Sequence, residues 1–182
     1  MAQRLPTNGR IGIFNRSHYE EVLTLRVHKE LLSRQNLPQK LIDKDIWHRR
    51  FGDIRAFERH LARNGTVILI FFLNVSKEEQ RRRFLDHIDE PGKRWKFSMN
   101  DVTERKLWDQ YMTAFEDMIR QTSTPEAPRF VVPADHKWFT RMVVAGAIVQ
   151  ALQTLELDYP KVEGKALKGL RKAEKALKAE RR

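Results

Sequence analysis

Apolar and polar positions along this chain switch repeatedly between a strand-like and a helix-like period. Ile11-Gly12-Ile13-Phe14 is a short apolar-compatible run bounded by Gly9 and Asn15, and reads as a buried strand. It ends in a polar cluster, Asn15-Arg16-Ser17-His18-Tyr19, which passes into a helix carrying Val22 and Leu25 at helical spacing through Glu30. Asn36 to Trp47 contains Pro38 and reads as a loop. From Asp45 to Asn64, Ile46, Phe51, Ile54, Phe57 and Leu61 recur at the helical period, and Asn64-Gly65 is a stop signal. Thr66 to Leu73 is apolar throughout after its first residue, as a parallel strand buried on both faces is.

Ser76-Lys77-Glu78-Glu79 has the form of a capping box, opening a helix that ends near Asp89-Glu90-Pro91-Gly92. A long helix is expected beyond Met99-Asn100-Asp101, through Trp108, Tyr111, Phe115 and Ile119. Thr122 to Pro128 is a loop, Phe130-Val131-Val132-Pro133 a last short strand, and Trp138 to Leu155 a final amphipathic helix. Strands alternating with helices predict an α/β fold around a parallel sheet. Three short strands make a thin sheet for such a fold.

Composition narrows the function classes. The 182 residues suffice for one domain with a real core. No apolar run is long enough to span a bilayer, and the first residues lack the apolar core of a signal peptide. With no cysteine there are no disulfides, thiolate metal sites or cysteine nucleophiles, which is compatible with a reducing cytoplasm. The net charge of +11 favours polyanionic partners, but residues 161–182 hold nine Lys/Arg against three Glu, leaving only +5 to the rest. That Ala/Lys/Leu-rich tail reads as a solvated, helical or disordered appendage, or as an electrostatic collector for an anionic ligand.

Candidate chemistry concentrates in cations. Arg16 and Arg26 flank the first strand end, Arg81-Arg82-Arg83 and Lys93-Arg94-Trp95-Lys96 follow, and Asp135-His136-Lys137-Trp138 succeeds the last strand. Arg offers phosphate a planar fork of donors and Lys a point charge. The three consecutive arginines project around a helix and cannot all face one ligand. Asn15 at a strand end is either a magnesium contact, directly or through water, or a residue that turns the chain. The histidines show no metal-ligand spacing, and no Gly-x-Ser-x-Gly elbow exists. The phosphate-cradling Gly-x-x-x-x-Gly-Lys-[Ser/Thr] motif is also lacking, because His87 and Tyr159 stand where its first glycine would be.

Several stretches together resemble the polyphosphate kinase 2 family. They are Gly12 to Glu20 with Arg26-Val27-His28, Phe71-Phe72-Leu73 with Ser76 to Gln80 and Arg83-Phe84, Lys93 to Ser98, and Val132 to Trp138. The resemblance implies a P-loop kinase-like, three-layer α/β/α fold over residues 1–160, with a helical lid at about 77–120. It implies phosphoryl transfer between inorganic polyphosphate and a nucleoside mono- or diphosphate, assisted by Mg2+, in a cytoplasmic homo-oligomer without membrane or nucleic-acid partners. Asn15 and Arg16 then match the Walker B end, Arg26 a further phosphate contact, and Arg83, Lys93, Arg94 and Lys96 the lid cations. Because family members carry a Gly-rich Walker A loop upstream, the chain is expected to be a carboxyl-terminal portion, inactive or nearly so alone. The alternative is a non-catalytic protein of the same descent that binds polyphosphate or nucleic acid.

Overall fold

A computed structural model describes residues 4–159 and 161–180; Pro160 and the terminal residues of the tail lie outside the described residues. The chain divides into two compact units, Met1–Ile148 and Val149–Arg182.

In the first unit, the expected strand at residues 11–14 does not form: the segment is irregular, with Ile11 73% and Ile13 89% exposed. An isolated strand leaves its N–H and C=O groups unpaired, and no strand pairs with this segment among the described residues. The following helix is also broken into pieces. A 3-10 turn spans His18–Glu21, α1 spans Thr24–Val27 and α2 spans Glu30–Ser33.

The helix expected over 45–64 appears almost as read, as α3 (Ile46–Arg63). Gly65 follows at φ +85°, where a Cβ is disfavoured, and the N–H groups of Gly65 and Thr66 return to the carbonyls of Ala62 and Leu61. β1 (Ile70–Asn74) starts later than expected and pairs in parallel with β2 (Arg129–Pro133), in register from Ile70 opposite Arg129 to Asn74 opposite Pro133. Phe71 and Phe130 stack at 5.2 Å across that register. With two strands among the described residues, β1 is not buried on both faces, and Leu73 is half exposed.

The segment expected as lid begins with α4 (Lys77–Asp89) and the 3-10 turn Pro91–Lys96. The single long helix expected next is two, α5 (Met99–Arg105) and α6 (Trp108–Thr122). Ser98 and Asp101 form a capping box that opens α5, a signal visible in the sequence as Ser-x-x-Asp. Arg105 donates to the Lys77 carbonyl at 2.7 Å and to Gln80 at 2.8 Å, fastening α5 back onto the start of α4.

The core sits where α3, α6 and the 18–27 segment meet. Val22, Leu23, Phe51, Ile54, Ala114 and Met118 are buried together, with Trp47 and Phe115 packed against them. Full burial of a side chain such as Phe51 contributes about 1.5–3 kcal/mol. α7 (Lys137–Thr154) follows β2 close to the bounds expected; it has no fully buried residue, but half-buried positions recur along one face at Phe139, Thr140, Val143, Val144, Ala147, Ile148 and Ala151. In the second unit, α8 (Gly164–Ala179) gives the tail a helix, every residue of it exposed.

Candidate functional site

The polar cluster after residue 14 is set by backbone geometry. Arg16 has φ 67°, in the left-handed region that costs a residue with a Cβ roughly 1–2 kcal/mol. Such a conformation persists only where its surroundings impose it. The turn leaves the Arg16 side chain 79% exposed, with Glu20 as its nearest carboxylate at 3.9 Å.

The anchor lies just downstream. The Tyr19 hydroxyl donates to Glu58 Oε1, and Arg129 Nη2 donates to the Tyr19 oxygen at 2.8 Å and to Glu58 Oε2 at 2.7 Å. His18 Nε2 stands 3.7 Å from Glu58 Oε1, with its ring edge-on to Phe57. Arg129 and Glu58 are almost wholly withdrawn from solvent. Burial pushes the Glu58 carboxyl up, but donors from His18, Tyr19 and Arg129 outweigh it and hold it below the ordinary value. Burial, reinforced by the Glu58 charge, pushes the Tyr19 phenol far up. This network fixes the first residues beyond the Arg16 turn to α3 and to the beginning of β2.

Glu58 and Arg129 were not among the residues singled out from sequence. Glu58 could have been: it falls four residues after Ile54 and seven after Phe51, a carboxylate inside an apolar stripe. Arg129 had no comparable signal.

The remaining cations divide by task. Arg26 donates from Nη2 to Asp117 of α6 and lies over the Phe51 ring at 6.0 Å. Its Nη1 is buried without a hydrogen-bond partner among the described residues. Arg83 donates to Glu79 at 2.7 Å and to the carbonyls of Ala134 and Asp135 at 2.7 and 3.1 Å. The Ser76 N–H donates to Asp135 Oδ1 at 2.7 Å, so α4 is tied twice to the turn after β2. Ser76 accepts from the Glu79 N–H, but Glu79 does not complete the expected box; its carboxylate turns to Arg82 and Arg83, which draw it down to about 2.

Lys93 pairs with Glu90, Arg94 donates from Nε to the Ile88 carbonyl at 2.8 Å, and Lys96 Nζ lies 5.2 Å from the Trp95 ring centre. Trp95 is 79% exposed and donates to the Gly92 carbonyl. The turn is therefore closed by its own backbone and presents an indole among three cations. No hydrogen bond or ion pair joins it to Asn15 or Arg16 among the described residues. Neither does any group of three or more His, Cys, Asp or Glu side chains able to hold a metal ion occur among them.

A parallel strand pair with a helix following each strand is an α/β build, in which ligand sites lie beyond the carboxyl ends of the strands. Comparison with known proteins sharpens that class. The model of the family Polyphosphate kinase 2 matches residues 1–160, and the chain belongs to that family. It is 48% identical over 157 residues to the ADP-polyphosphate phosphotransferase of Rhodopseudomonas palustris, covering 86% of this chain and 54% of that protein. It is 45% identical over 161 residues to the AMP/ADP-polyphosphate phosphotransferase of Meiothermus ruber, covering 88% and 56% respectively. The crystal structure of polyphosphate kinase 2 from Arthrobacter aurescens TC1 superposes with a TM-score of 0.83 at 39% identity, over 97% of this chain and 56% of that one. The chain thus spans about half the length of these relatives. The α/β, P-loop kinase-like class expected from the sequence agrees with that solved structure.

Proposed function

We propose that this chain takes part in moving a phosphoryl group between inorganic polyphosphate and a nucleoside mono- or diphosphate. The observation that carries the reading is the 48% identity to a polyphosphate phosphotransferase over 157 residues. The exposed cations are chemically suited to it. Phosphoryl transfer needs in-line positioning and neutralisation of developing charge, with no covalent step on the protein. Arg16, projected from its strained turn, supplies charge to the reacting phosphates beside Asn15. Arg26 adds a buried N–H, and Lys93, Arg94 and Lys96 grip the anionic chain from the lid. Arg83, its Nε engaged by Glu79 and its Nη2 by the Ala134 and Asp135 carbonyls, acts chiefly by holding that lid.

The described residues do not build a cage for Mg2+, and Asn15 offers one amide oxygen only. Magnesium suits this chain as the counter-ion of the phosphates it handles, reached from Asn15 through water. The same reading places the chain in the cytoplasm, as one subunit of a homo-oligomer.

Because the Gly-x-x-x-x-Gly-Lys-[Ser/Thr] motif is not in these 182 residues, turnover by this chain alone is expected to be low. The test pairs polyphosphate binding with ATP formation from polyphosphate and ADP. Salt-sensitive binding, weakened about tenfold or more when Lys93, Arg94 and Lys96 are all changed to Ala, supports the reading. Absence of polyphosphate binding at low salt overturns it. Binding retained without any turnover, even in the presence of a relative's Walker A segment, favours the non-catalytic alternative.

A further inference from the structure

Helix α8 (Gly164–Ala179) carries a sorting of side chains that phosphoryl transfer does not use. At about 100° per residue, Lys165, Lys168, Arg171, Lys172, Lys175 and Lys178 all fall within an arc of roughly 140°. Leu167, Leu170 and Leu177, with Ala166 and Ala173, occupy the opposite side. The acid between the helix ends, Glu174, lies near the edge of the apolar arc and is neutralised by Lys178 at 2.6 Å. Six cations against one acid give the helix a net +5. No residue of it is buried, and Leu170 and Leu177 are more than half exposed.

We propose that α8 docks in the plane of an anionic lipid surface, leucines down and cations at the headgroups. A helix that is apolar on one side and cationic on the other satisfies both parts of such an interface at once. Charge complementarity selects this occupant. A second copy of the helix would bring +5 against +5. A soluble polyanion, polyphosphate or nucleic acid, would reward the cations and leave the leucine stripe in water. Among the described residues no helix is long and apolar enough to cross a membrane, which fits this docking, since the helix lies on the bilayer rather than through it.

The experiment is flotation of the full chain with phosphatidylcholine vesicles, with and without about 30% phosphatidylserine. Anionic vesicles should bind at least ~10-fold more protein, with added helical signal in circular dichroism. Each lysine near such a surface is worth about fivefold, so K168E with K175E should weaken binding by ~25-fold or more. L170Q with L177Q, which removes the apolar side chains without changing charge, should weaken it at least ~10-fold while leaving binding of soluble polyphosphate unchanged. Both variants alter exposed residues only, and an unchanged urea midpoint confirms that the first unit is intact. Equal partition to neutral and anionic vesicles overturns the proposal. So does a leucine variant that binds like the unaltered chain, which would identify a soluble polyanion as the occupant.

Discussion

At the residue scale, the most consequential group is the buried Glu58–Arg129 pair with the half-buried Tyr19 between them. Removing one member of a buried, hydrogen-bonded charge pair strands the other, and Arg129→Ala is expected to lower stability by about 3–5 kcal/mol in urea titration. Tyr19→Phe removes one donor to Glu58 and should cost about 1–3 kcal/mol by the same measurement. If the trio also holds the Arg16 turn, Tyr19→Phe should weaken polyphosphate binding even where the protein remains folded. His28 provides a pH test. Its Nε2 meets Glu104 at 2.9 Å, and Tyr111 donates to the same carboxylate at 2.9 Å. The hydrogen bond to Glu104, opposed in part by burial, raises His28 above its ordinary 6.5. The histidine's contribution is therefore complete below 6.5 and lost as pH rises through its higher folded value. Glu104, lowered by the same bond, contributes above its ordinary 4.5 and loses that as pH falls further. The stability deficit of His28→Gln should accordingly be largest between those two values and shrink on the alkaline side; a deficit independent of pH would exclude the ion pair as its cause.

At the element scale, local signals and partner-dependent signals behaved differently. The end of α3 was legible because Asn64-Gly65 encodes its stop in two residues; Gly65→Ala, forced to φ +85°, should cost about 1 kcal/mol. The start of α4 was legible in part, since Ser76 caps it as read. Ser76→Ala should cost about 1 kcal/mol in thermal or urea unfolding. Its reciprocal partner was misassigned because Arg82 and Arg83 compete for the Glu79 carboxylate and Asp135 takes the Ser76 N–H. The 11–14 strand failed because apolarity marks a segment that wants burial, whereas a strand also needs a neighbour's hydrogen bonds. The break between α5 and α6 at Lys106 and Leu107 carries neither Gly nor Pro, and so had no local marker.

At the scale of the whole molecule, charge is apportioned between two tasks. Much of it is spent within the fold, as Arg26 with Asp117, Arg83 with the turn after β2, and Arg129 with Glu58. The exposed remainder at Arg16, the 91–96 turn and α8 is available to anions. Binding of polyphosphate should therefore fall steeply with salt, and the slope should shrink when Lys93, Arg94 and Lys96 are removed, whereas Arg129→Ala should change affinity with little change in slope. Isothermal titration at several salt concentrations distinguishes the two.

The sequence by itself determined what depends on neighbours along the chain: the α3 and α4 boundaries, the place of β2, the cationic segments and the family to which they belong. The expectation that Asn15, Arg16 and the 93–96 cations meet phosphate rests there on a local pattern, cation clusters beside turn residues. Only the tertiary structure decided that Arg26 and Arg83 are held by Asp117 and by the turn after β2, and that Arg129 meets Glu58 across 71 positions. Those pairings are set by which surfaces the core brings together, and an arginine that binds phosphate is spelled the same way as one that closes a buried ion pair.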